Sequence, residues 1–365
     1  MSKILVTNLP ILHNIRILDF SWVLAGPYAT RILADFGAEV IKVQSLLPQE
    51  EDAFSKGYYN TWNRNKLGIT LNLSKPEGIA LAKRLVGISD AVVENFAPRV
   101  MANWGLDYAN LKKLKADIIM LSMSTMGNSG PWRDYVGFGP VVQAFSAIAA
   151  LTAYPGKLPS GLGYSYTDHV AGLLAALALL SALEYRRKTG EGQYIDISQV
   201  EAMVSLLGNA FFDYSISGKP PEATGNRSGE AAPYGVYRCQ GEDRWCAIAV
   251  HSDAEWVGFC RALGNPAWAA DARFSTLSGR LANADELDKL VEGWTRQHTA
   301  EEVMTRLQEQ GVAAGMVQDA YDLANDPQLR ARGFFVELDH PELGRTVSDA
   351  TPIKLSATPA RYRRA

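Results

Sequence analysis

The first 125 residues alternate between short apolar runs and helix-like segments, and this alternation restricts the fold more than any other feature of the sequence. Strands are predicted at 15–20 (IRILDF), 38–43 (AEVIKV), 69–73 (ITLNL), 90–96 (DAVVENF) and 117–124 (DIIMLSMS), and one more at QYIDISQ near 194. This spacing is typical of parallel strands joined by crossover helices, so we predict an α/β fold with a doubly wound sheet. Ligands of such sheets bind where strands end and helices begin.

Local stop and start signals predict several helix boundaries. Gly37 ends the helix PYATRILADF, and Gly190 follows a long apolar helix whose last turn is basic. The pattern SKPE at 74–77 resembles a capping box that opens a helix reaching Val86. Thr299 and Gly311 bound the helix TAEEVMTRLQEQ.

A change in composition near residue 219 indicates a domain boundary, because GKPPEATGNRSGEAAPYG is rich in loop-forming residues. A hairpin is predicted at YGVYRC and WCAIAV, followed by helices. We therefore predict a large domain over 1–200, a linker over 201–225, a smaller α+β domain over 226–325, and a return to the large domain over 326–365.

Composition and missing motifs exclude several classes of protein. The chain is 47% hydrophobic and 21% charged, with a net charge of −3, so no basic field indicates nucleic acid as a partner. The apolar run 170–183 is too short to span a bilayer, and we expect a buried helix and no membrane association. Three cysteines without a C-x-x-C pair, and an N-terminus unlike a signal peptide, predict a cytoplasmic protein. The sequence lacks P-loop, G-x-G-x-x-G, H-E-x-x-H and G-x-S-x-G motifs, its five histidines are scattered, and we predict no metal.

Asp168 is the sharpest candidate for chemistry. It follows the glycine-containing stretch GLGYSYT and precedes a long apolar helix. The carboxylate could simply cap a helix that begins near His169. It could also be a nucleophile that the helix dipole keeps ionised, and the two roles are compatible. His169 is interpreted as structural, because adjacent helical residues do not face each other.

Three other segments allow both a structural and a binding interpretation. Arg64 and Lys66 form either a solvated turn or a phosphate clamp. Asn95, Phe96 and Arg99 form either a helix cap with a core aromatic side chain or the lining of a nucleotide or pantetheine tunnel. The stretch GNRSGEAAP, starting at Gly225, is either an interdomain loop or a lid that supplies backbone N–H donors to an oxyanion.

Taken in order, the motifs resemble the class III CoA-transferase family, also called the CaiB/BaiF family. The resemblance covers about residues 15–358 and rests on ILDFSWVLAGPYATRILADFGAEVIKVQ, NRNKLGITLNL, DAVVENFAPRVMANWGLDYANLKK, GPWRDYVGFGPVVQAFSAIAALT, GYSYTDHVAG, ALEYRRKTGEGQYIDISQVEA, GNRSGEAAPYGVYRC and NDPQLRARGFF. It implies an interlocked dimer in which each chain has a Rossmann-like large domain, built from both ends of the sequence, and a smaller domain. A homodimer is expected, and a heteromer with a homologous subunit is the alternative.

The resemblance also implies a reaction and its site. Asp168 would be the nucleophile that accepts CoA from an acyl-CoA on its way to a free carboxylic acid, with coenzyme A as co-substrate. The loop at Gly225, Asn226 and Arg227 would close over the intermediates. Besides Arg64 and Lys66, the residues implied to contact CoA are Val23, Leu24, Ala25, Leu71, Ser74, Asn95, Phe96, Ala97 and Asn103.

Departures from the family pattern bear on the substrate. Formyl-CoA transferase-like members have Gln where Leu24 stands, an Arg near Ser45 and a loop richer in glycine, so formyl and oxalate chemistry are not expected. Leu24, Phe138, Tyr164 and Tyr166 instead predict an apolar acyl pocket. Racemases of the family have a catalytic His at the position of Phe138. Racemisation or isomerisation of an acyl-CoA is the alternative activity, and the absence of this His argues against it. The remaining alternatives are a non-catalytic subunit and an oxidoreductase, the latter weak without a glycine fingerprint.

Overall fold

The computed structural model describes residues 9–45 and 53–365, which form two compact units. The larger unit comprises the described part of Met1–Ala150, together with Ser160–Pro221 and Gln328–Ala365. The smaller unit comprises Leu151–Pro159 and Glu222–Pro327. The sequence assigned residues 151–159 to the large domain, whereas in the structure they belong to the smaller unit.

A parallel sheet of six strands forms the centre of the larger unit, in the order β3-β2-β1-β4-β5-β6. Its strands are β1 (Arg16–Asp19), β2 (Glu39–Gln44), β3 (Leu67–Thr70), β4 (Ala91–Glu94), β5 (Ile119–Ser124) and β6 (Tyr194–Ser198). All neighbouring pairs are parallel, with Ile17 opposite both Val40 and Ala91. The predicted α/β class with a large parallel sheet is confirmed. Because β1 lies between β2 and β4, the strand order reverses at β1 and β4, the place where doubly wound sheets bind ligands.

The helices of this unit follow the strands and cover the sheet. They are α1 (Ala25–Asp35), α2 (Ala53–Asn63), α3 (Pro76–Gly87), α4 (Arg99–Asn103), α5 (Tyr108–Leu114), α6 (Gly139–Phe145), α7 (Ile148–Leu151), α8 (Tyr166–Thr189), α9 (Gln199–Val204) and α10 (Gly208–Ser217), with a 3-10 turn at Ser205–Leu207. An antiparallel hairpin close to the C-terminus, which the sequence did not predict, contributes its strands at Phe335–His340 and Gly344–Asp349.

Helix α8 packs its small residues against α1 and the sheet. Ala171, Ala175 and Leu179 are buried in the core shared with Ile17 and Leu33. By length and composition alone α8 could cross a membrane, a test that buried core helices also pass. Its other face exposes leucines at 173, 174, 177 and 180.

Two helix starts differ from the sequence prediction. Helix α3 has no side-chain cap, because the Ser74 hydroxyl donates to Asn72 instead of serving a capping box. Helix α8 begins at Tyr166 with Ser165 in the capping position, so Asp168 is its third residue and not its cap. The predicted helix ends are confirmed at Gly190 and Gly37, which both adopt positive φ.

The smaller unit has its own core under a three-stranded antiparallel sheet. The predicted hairpin is present as β7 (Tyr234–Arg238) and β8 (Trp245–Ala249), and β9 (Ala313–Met316) was not predicted. Thr299 caps its helix with a full capping box, as predicted, because Glu302 returns the hydrogen bond. The helices are Asp253–Ala262, Leu277–Ala282, Ala284–Thr295, Ala300–Glu309 and Ala320–Asn325, with 3-10 turns at Ala267–Ala270 and Ala272–Phe274 and a helix Pro327–Ala331 at the boundary between the units.

Candidate active site

The turns that follow β1 and β4 meet where the strand order reverses. The Asn95 side chain accepts a hydrogen bond from the backbone N–H of Trp22 and donates one to its carbonyl, both at 2.9 Å. The two hydrogen bonds fix the two turns relative to each other. Together the turns line the crevice that the strand order predicts.

Val23 occupies the next position of this turn in a conformation that valine rarely adopts. Its φ of 62° lies in the left-handed region, where a β-branched side chain is strained. Such strain persists only where the surrounding structure imposes it, and it is common at ligand sites. Val23 is exposed, whereas the side chains of Leu24 and Ala25 are buried. Leu24 therefore does not line an open acyl pocket, contrary to the sequence prediction.

A buried cluster of charged side chains, Asp19, Lys42 and Lys66, stabilises this turn. The Asp19 carboxylate accepts hydrogen bonds from Ser21 and Thr30 and pairs with the ammonium groups of Lys42 and Lys66. Burial pushes the pKa of Asp19 upward, but the two lysines and the hydroxyl donors outweigh it and hold this pKa below its usual range. The same lysines donate to backbone carbonyls of the turn, Lys42 to Ser21 and Lys66 to Pro27.

Lys66 is therefore a structural cation. Its ammonium group contacts Asp19 at 3.1 Å, the Pro27 carbonyl at 2.9 Å and Asn63 at 3.0 Å. Burial lowers its pKa to about 7 against the attraction of Asp19. The prediction that Lys66 clamps a phosphate is corrected, because its three donors are directed into the protein.

Arg64 corrects the other half of that prediction. Only 1% of its surface is exposed, and its guanidinium forms a bidentate pair with Asp35 at 3.1 and 2.6 Å. It also contacts the Asp349 carboxylate at 3.1 Å and lies over the Tyr362 ring. Arg64 thus joins the start of the sheet to the C-terminal segment of the same unit.

Asp168 lies in the first turn of α8 with 8% of its surface exposed. Its Oδ2 accepts a hydrogen bond from the Thr167 hydroxyl at 3.3 Å. A Cβ on Gly139 would stand 2.7 Å from the same oxygen, so the missing side chain leaves room for the carboxylate. The start of α6 and the start of α8 therefore meet at this oxygen.

Burial raises the pKa of Asp168 to about 6, against hydrogen bonds that lower it. The expectation that the helix dipole fully keeps the carboxylate ionised is thus too simple, because desolvation outweighs the first-turn position. At pH 7 the group is still mostly ionised while it has lost much of its hydration. A desolvated anion of this kind suits nucleophilic attack.

His169 is held by its neighbours on all sides. Its Nδ1 contacts the Ser165 carbonyl at 2.8 Å and its Nε2 contacts the Tyr164 hydroxyl at 3.0 Å. The imidazole packs between the rings of Tyr28, Trp62 and Tyr164. Burial lowers its pKa, and both nitrogens are occupied, as expected of a structural histidine.

The other predicted contact residues are distributed over the larger unit. Leu71 is buried in the core, and Phe96 packs edge-to-face on Trp104 beside it. Ala97 is half-buried, and Ser74 and Asn103 are exposed. Phe138, Tyr164 and Tyr166 expose their rings, with Phe138 immediately before Gly139.

The glycine loop, residues 225–233, belongs to the smaller unit, and its first three residues are anchored there. Gly225 donates to the Ala153 carbonyl, and Asn226 donates to the Tyr154 hydroxyl at 3.1 Å. Arg227 pairs with Asp285 at 2.6 Å and Asp288 at 2.8 Å. A cavity of about 370 Å³ lies here, and its lining includes Tyr154, Asn226, Arg227, Asp288, Tyr234, Tyr237 and Glu292.

Sequence reasoning missed four residues of the larger site. Trp22 lies in the quoted turn but received no role, and Gly139 was not distinguished from other glycines. Tyr58 has its pKa raised to about 12 by burial and then by the charge of Asp168. Glu94 is buried and accepts from the Phe96 N–H at 2.7 Å, and burial raises its pKa to about 7. The only signal was position, since Trp22 and Glu94 stand at the ends of strands.

Comparison with known proteins shows which family this chain is similar to. Residues 12–365 match the family described as CoA-transferase family III. The chain is 37% identical over 358 residues to a succinyl-CoA–D-citramalate CoA-transferase of Chloroflexus aurantiacus, covering 95% of this chain and 88% of that protein. It is 34% identical over 360 residues to the alpha subunit of a succinyl-CoA–L-malate CoA-transferase of the same species, covering 96% and 84%. A CaiB/BaiF family protein from Brucella suis superposes with a TM-score of 0.89 at 31% identity, covering 98% of this chain and 96% of that one.

The chain therefore belongs to CoA-transferase family III, the CaiB/BaiF family. Enzymes of this class use CoA thioesters as co-substrates, and the predicted resemblance is confirmed.

Proposed function

We propose that this protein transfers CoA from an acyl-CoA thioester to a free carboxylic acid, with Asp168 as the nucleophile. The observation that carries the proposal is the burial of this carboxylate in the first turn of α8, where 8% of its surface is exposed and burial raises its pKa to about 6. Because Gly139 has no Cβ, Oδ2 can lie close against the start of α6. A carboxylate that served only to cap α8 would occupy the position of Ser165 instead.

The proposed reaction proceeds by four acyl transfers. Asp168 attacks the thioester carbonyl, the carbon–sulfur bond breaks, and a mixed anhydride and the CoA thiolate result. The thiolate attacks the aspartyl carbonyl and releases the donor acid, which leaves an aspartyl-CoA thioester. The acceptor carboxylate then attacks this thioester to form a second anhydride, and the thiolate attacks its acceptor carbonyl, which gives the new acyl-CoA and frees Asp168. Every step builds negative charge on a carbonyl oxygen and requires the exclusion of water.

We place CoA along the turns after β1 and β4. Val23, Asn95 and Ala97 are the candidates that support this position best, because they surround the point where the strand order reverses. Ser74 and Asn103 are exposed and remain candidates, whereas Arg64 and Lys66 leave the set because carboxylates hold them.

The resemblance implies that Gly225, Asn226 and Arg227 cover the intermediates, and this role stays part of the proposal. Residues 225–227 are anchored within the smaller unit and the Glu230 N–H donates to the Ser228 hydroxyl at 3.0 Å, so Ser228 and Gly229 are the candidates to supply N–H donors.

We further propose that the protein acts as a dimer. Helix α8 exposes four leucines, and α10 exposes Phe211, Phe212, Tyr214 and Ile216, so the larger unit presents more apolar surface than isolated monomers usually do. A homodimer is the simpler arrangement. A pairing with a homologous subunit is the alternative, since one relative is the alpha subunit of its enzyme. Sedimentation velocity of the purified chain distinguishes the two.

Two other activities are less well supported. Racemisation of an acyl-CoA requires a second acid–base group, and the position where racemases have their histidine holds Phe138. A non-catalytic subunit would not need a desolvated carboxylate at position 168, whose ionisation burial disfavours.

Mass spectrometry of the intact protein tests the proposal. The protein is incubated with a panel of acyl-CoA donors and trapped with hydroxylamine or borohydride. A mass change that maps to Asp168, and that is absent from Asp168→Asn, is the expected result. Unchanged turnover of an identified substrate by Asp168→Asn would overturn the role of Asp168 as nucleophile.

A further inference from the structure

Two large aromatic side chains near the site are exposed and are not part of the hydrophobic core. Trp22 is 52% exposed and Phe138 is 58% exposed, and their rings meet edge-to-face with centroids 6.0 Å apart. Both come from turns, so neither exposure follows from the pattern of a strand or helix. Exposed aromatic surface of this size is normally a contact surface for a ligand or partner.

The Trp22 backbone is fixed while its indole is exposed. Asn95 binds both the N–H and the carbonyl of Trp22, and the Asp19 cluster fixes Ser21 immediately before it. Strain at Val23 follows directly after it. A turn held this firmly presents its side chain in one direction, which reduces the entropy lost when a ligand binds.

The residues that follow Phe138 and Trp22 in the chain contact the start of α8. Phe138 immediately precedes Gly139, whose absent Cβ leaves space for Oδ2 of Asp168. On the other side, the carbonyl of Ala25 lies 2.7 Å from where a Cβ of Gly172 would be, and Gly172 is one helical turn after Asp168 on the same face of α8. The two segments that carry Phe138 and Trp22 therefore both approach the first two turns of α8, where Asp168 lies.

Carboxylates of the protein already bind the buried cations in this part of the larger unit. Among the described residues, burial and hydrogen bonds determine the pKa of Asp168, with no contribution from Lys or Arg. Arg31 pairs with Asp349, Arg64 with Asp35, and Lys66 with Asp19. A second carboxylate on an acyl chain would lose its hydration here without gaining a cation from the described part of this chain.

We propose that Trp22 and Phe138 form the surface that selects the acyl group, and that they favour a chain ending in methyl or aryl over one ending in carboxylate. This inference rests on the proposed function, because the acyl group in question is the one carried to Asp168. It assigns a specificity role to Trp22, and it replaces Leu24, whose side chain is buried, with Trp22 in the predicted apolar pocket.

Identity exchange tests the inference without knowledge of the natural acceptor. Each donor is incubated with its own isotopically labelled free acid, and the label that enters the thioester is followed by mass spectrometry. Butyryl-CoA and succinyl-CoA are the matched pair, since both have four carbons and differ in the terminal methyl or carboxylate. Acetyl-CoA serves as the short reference that reaches Asp168 but extends little beyond it.

We expect kcat/KM for butyryl-CoA to exceed that for succinyl-CoA by about tenfold or more, because the terminal carboxylate of succinyl-CoA would lose hydration without gaining a cation. Trp22→Ala should lower kcat/KM for butyryl-CoA by about tenfold and leave acetyl-CoA within about threefold. Trp22→Phe should recover most of the loss. Tyr321→Ala, which removes an exposed aromatic ring from the smaller unit, should change no donor.

The outcomes separate this inference from the proposed function. If succinyl-CoA is preferred, or if Trp22→Ala slows acetyl-CoA and butyryl-CoA equally, acyl selection by the pair is wrong while Asp168-dependent exchange still stands. If Asp168→Asn exchanges label as fast as the wild type, the nucleophile proposal fails, and the selection proposal fails with it. A preference for butyryl-CoA that disappears in Trp22→Ala and in Phe138→Ala, but not in Tyr321→Ala, supports the inference.

Discussion

Replacing Asp168 by Asn should make the protein more stable while it removes the proposed nucleophile. Burial raises the pKa of this carboxyl group from 3.8 to about 6. Each pKa unit corresponds to about 1.4 kcal/mol, so the ionised carboxylate costs the folded state about 3 kcal/mol at pH 7.5. Asn has nearly the same shape and carries no charge. We therefore expect Asp168→Asn to raise the free energy of unfolding by up to about 3 kcal/mol at pH 7.5.

The pH dependence of this gain follows from the direction of the shift. Because the folded-state pKa is the higher one, the folded state binds a proton first as the pH falls through about 6. The wild type thus recovers stability between about pH 6 and the unfolded value of 3.8, and the advantage of the variant shrinks to about 1 kcal/mol at pH 4.5. Urea unfolding followed by tryptophan fluorescence at both pH values measures the difference.

A control of opposite sign is available in the same unit. The hydrogen bond from Lys115 holds the pKa of Asp117 below its usual value, so Asp117→Asn should lower stability at pH 7.5. If Asp168→Asn is less stable than the wild type at pH 7.5, or if its difference from the wild type does not change with pH, the reasoning from burial is refuted.

Three further results are expected. The rate constant kcat/KM should rise with pH through about 6 as Asp168 ionises, and a flat profile between pH 5 and 7 would contradict its role as an ionised nucleophile. Gly139→Ala places a Cβ 2.7 Å from Oδ2 of Asp168 and should lower kcat at least about tenfold with the fold retained, measured by exchange kinetics and circular dichroism, whereas Gly87→Ala, which meets no atom within 4 Å, should leave kcat unchanged. Arg64→Met leaves Asp35 buried without its partner and should destabilise the protein by about 3–5 kcal/mol in urea unfolding, and a loss below about 1 kcal/mol would show that the pair contributes little.

Much of the fold was readable because its signals are local. The alternation of apolar runs predicted the six parallel strands, although β3 starts two residues earlier than expected, at Leu67 instead of Ile69. Gly37, Gly190 and Gly311 ended their helices as predicted, because glycine adopts a positive φ without steric cost. Capping was readable where the pattern was complete, at Thr299, and failed at Ser74, whose hydroxyl had a nearer acceptor in Asn72.

The choice of Asp168 also came from the sequence, through its position before an apolar helix and its resemblance to the family. Its physical state did not. The raised pKa comes from burial, and the carboxylate fits beside α6 only because Gly139, 29 positions away along the chain, has no Cβ. No pattern around position 168 contains that information.

The sequence by itself determined the strands of the six-stranded sheet, several helix ends and the family, because periodicity, glycine conformations and motif order are recorded in neighbouring residues. Only the tertiary structure decided which charged groups are free. Arg64 meets Asp35 and Asp349, and Lys66 meets Asp19, from positions far apart in the chain, so two cations that resemble a phosphate clamp in the sequence are buried ion pairs in the fold. The same long-range packing exposes Trp22 and fixes it to Asn95, because a contact between two strand ends exists only once the sheet has formed.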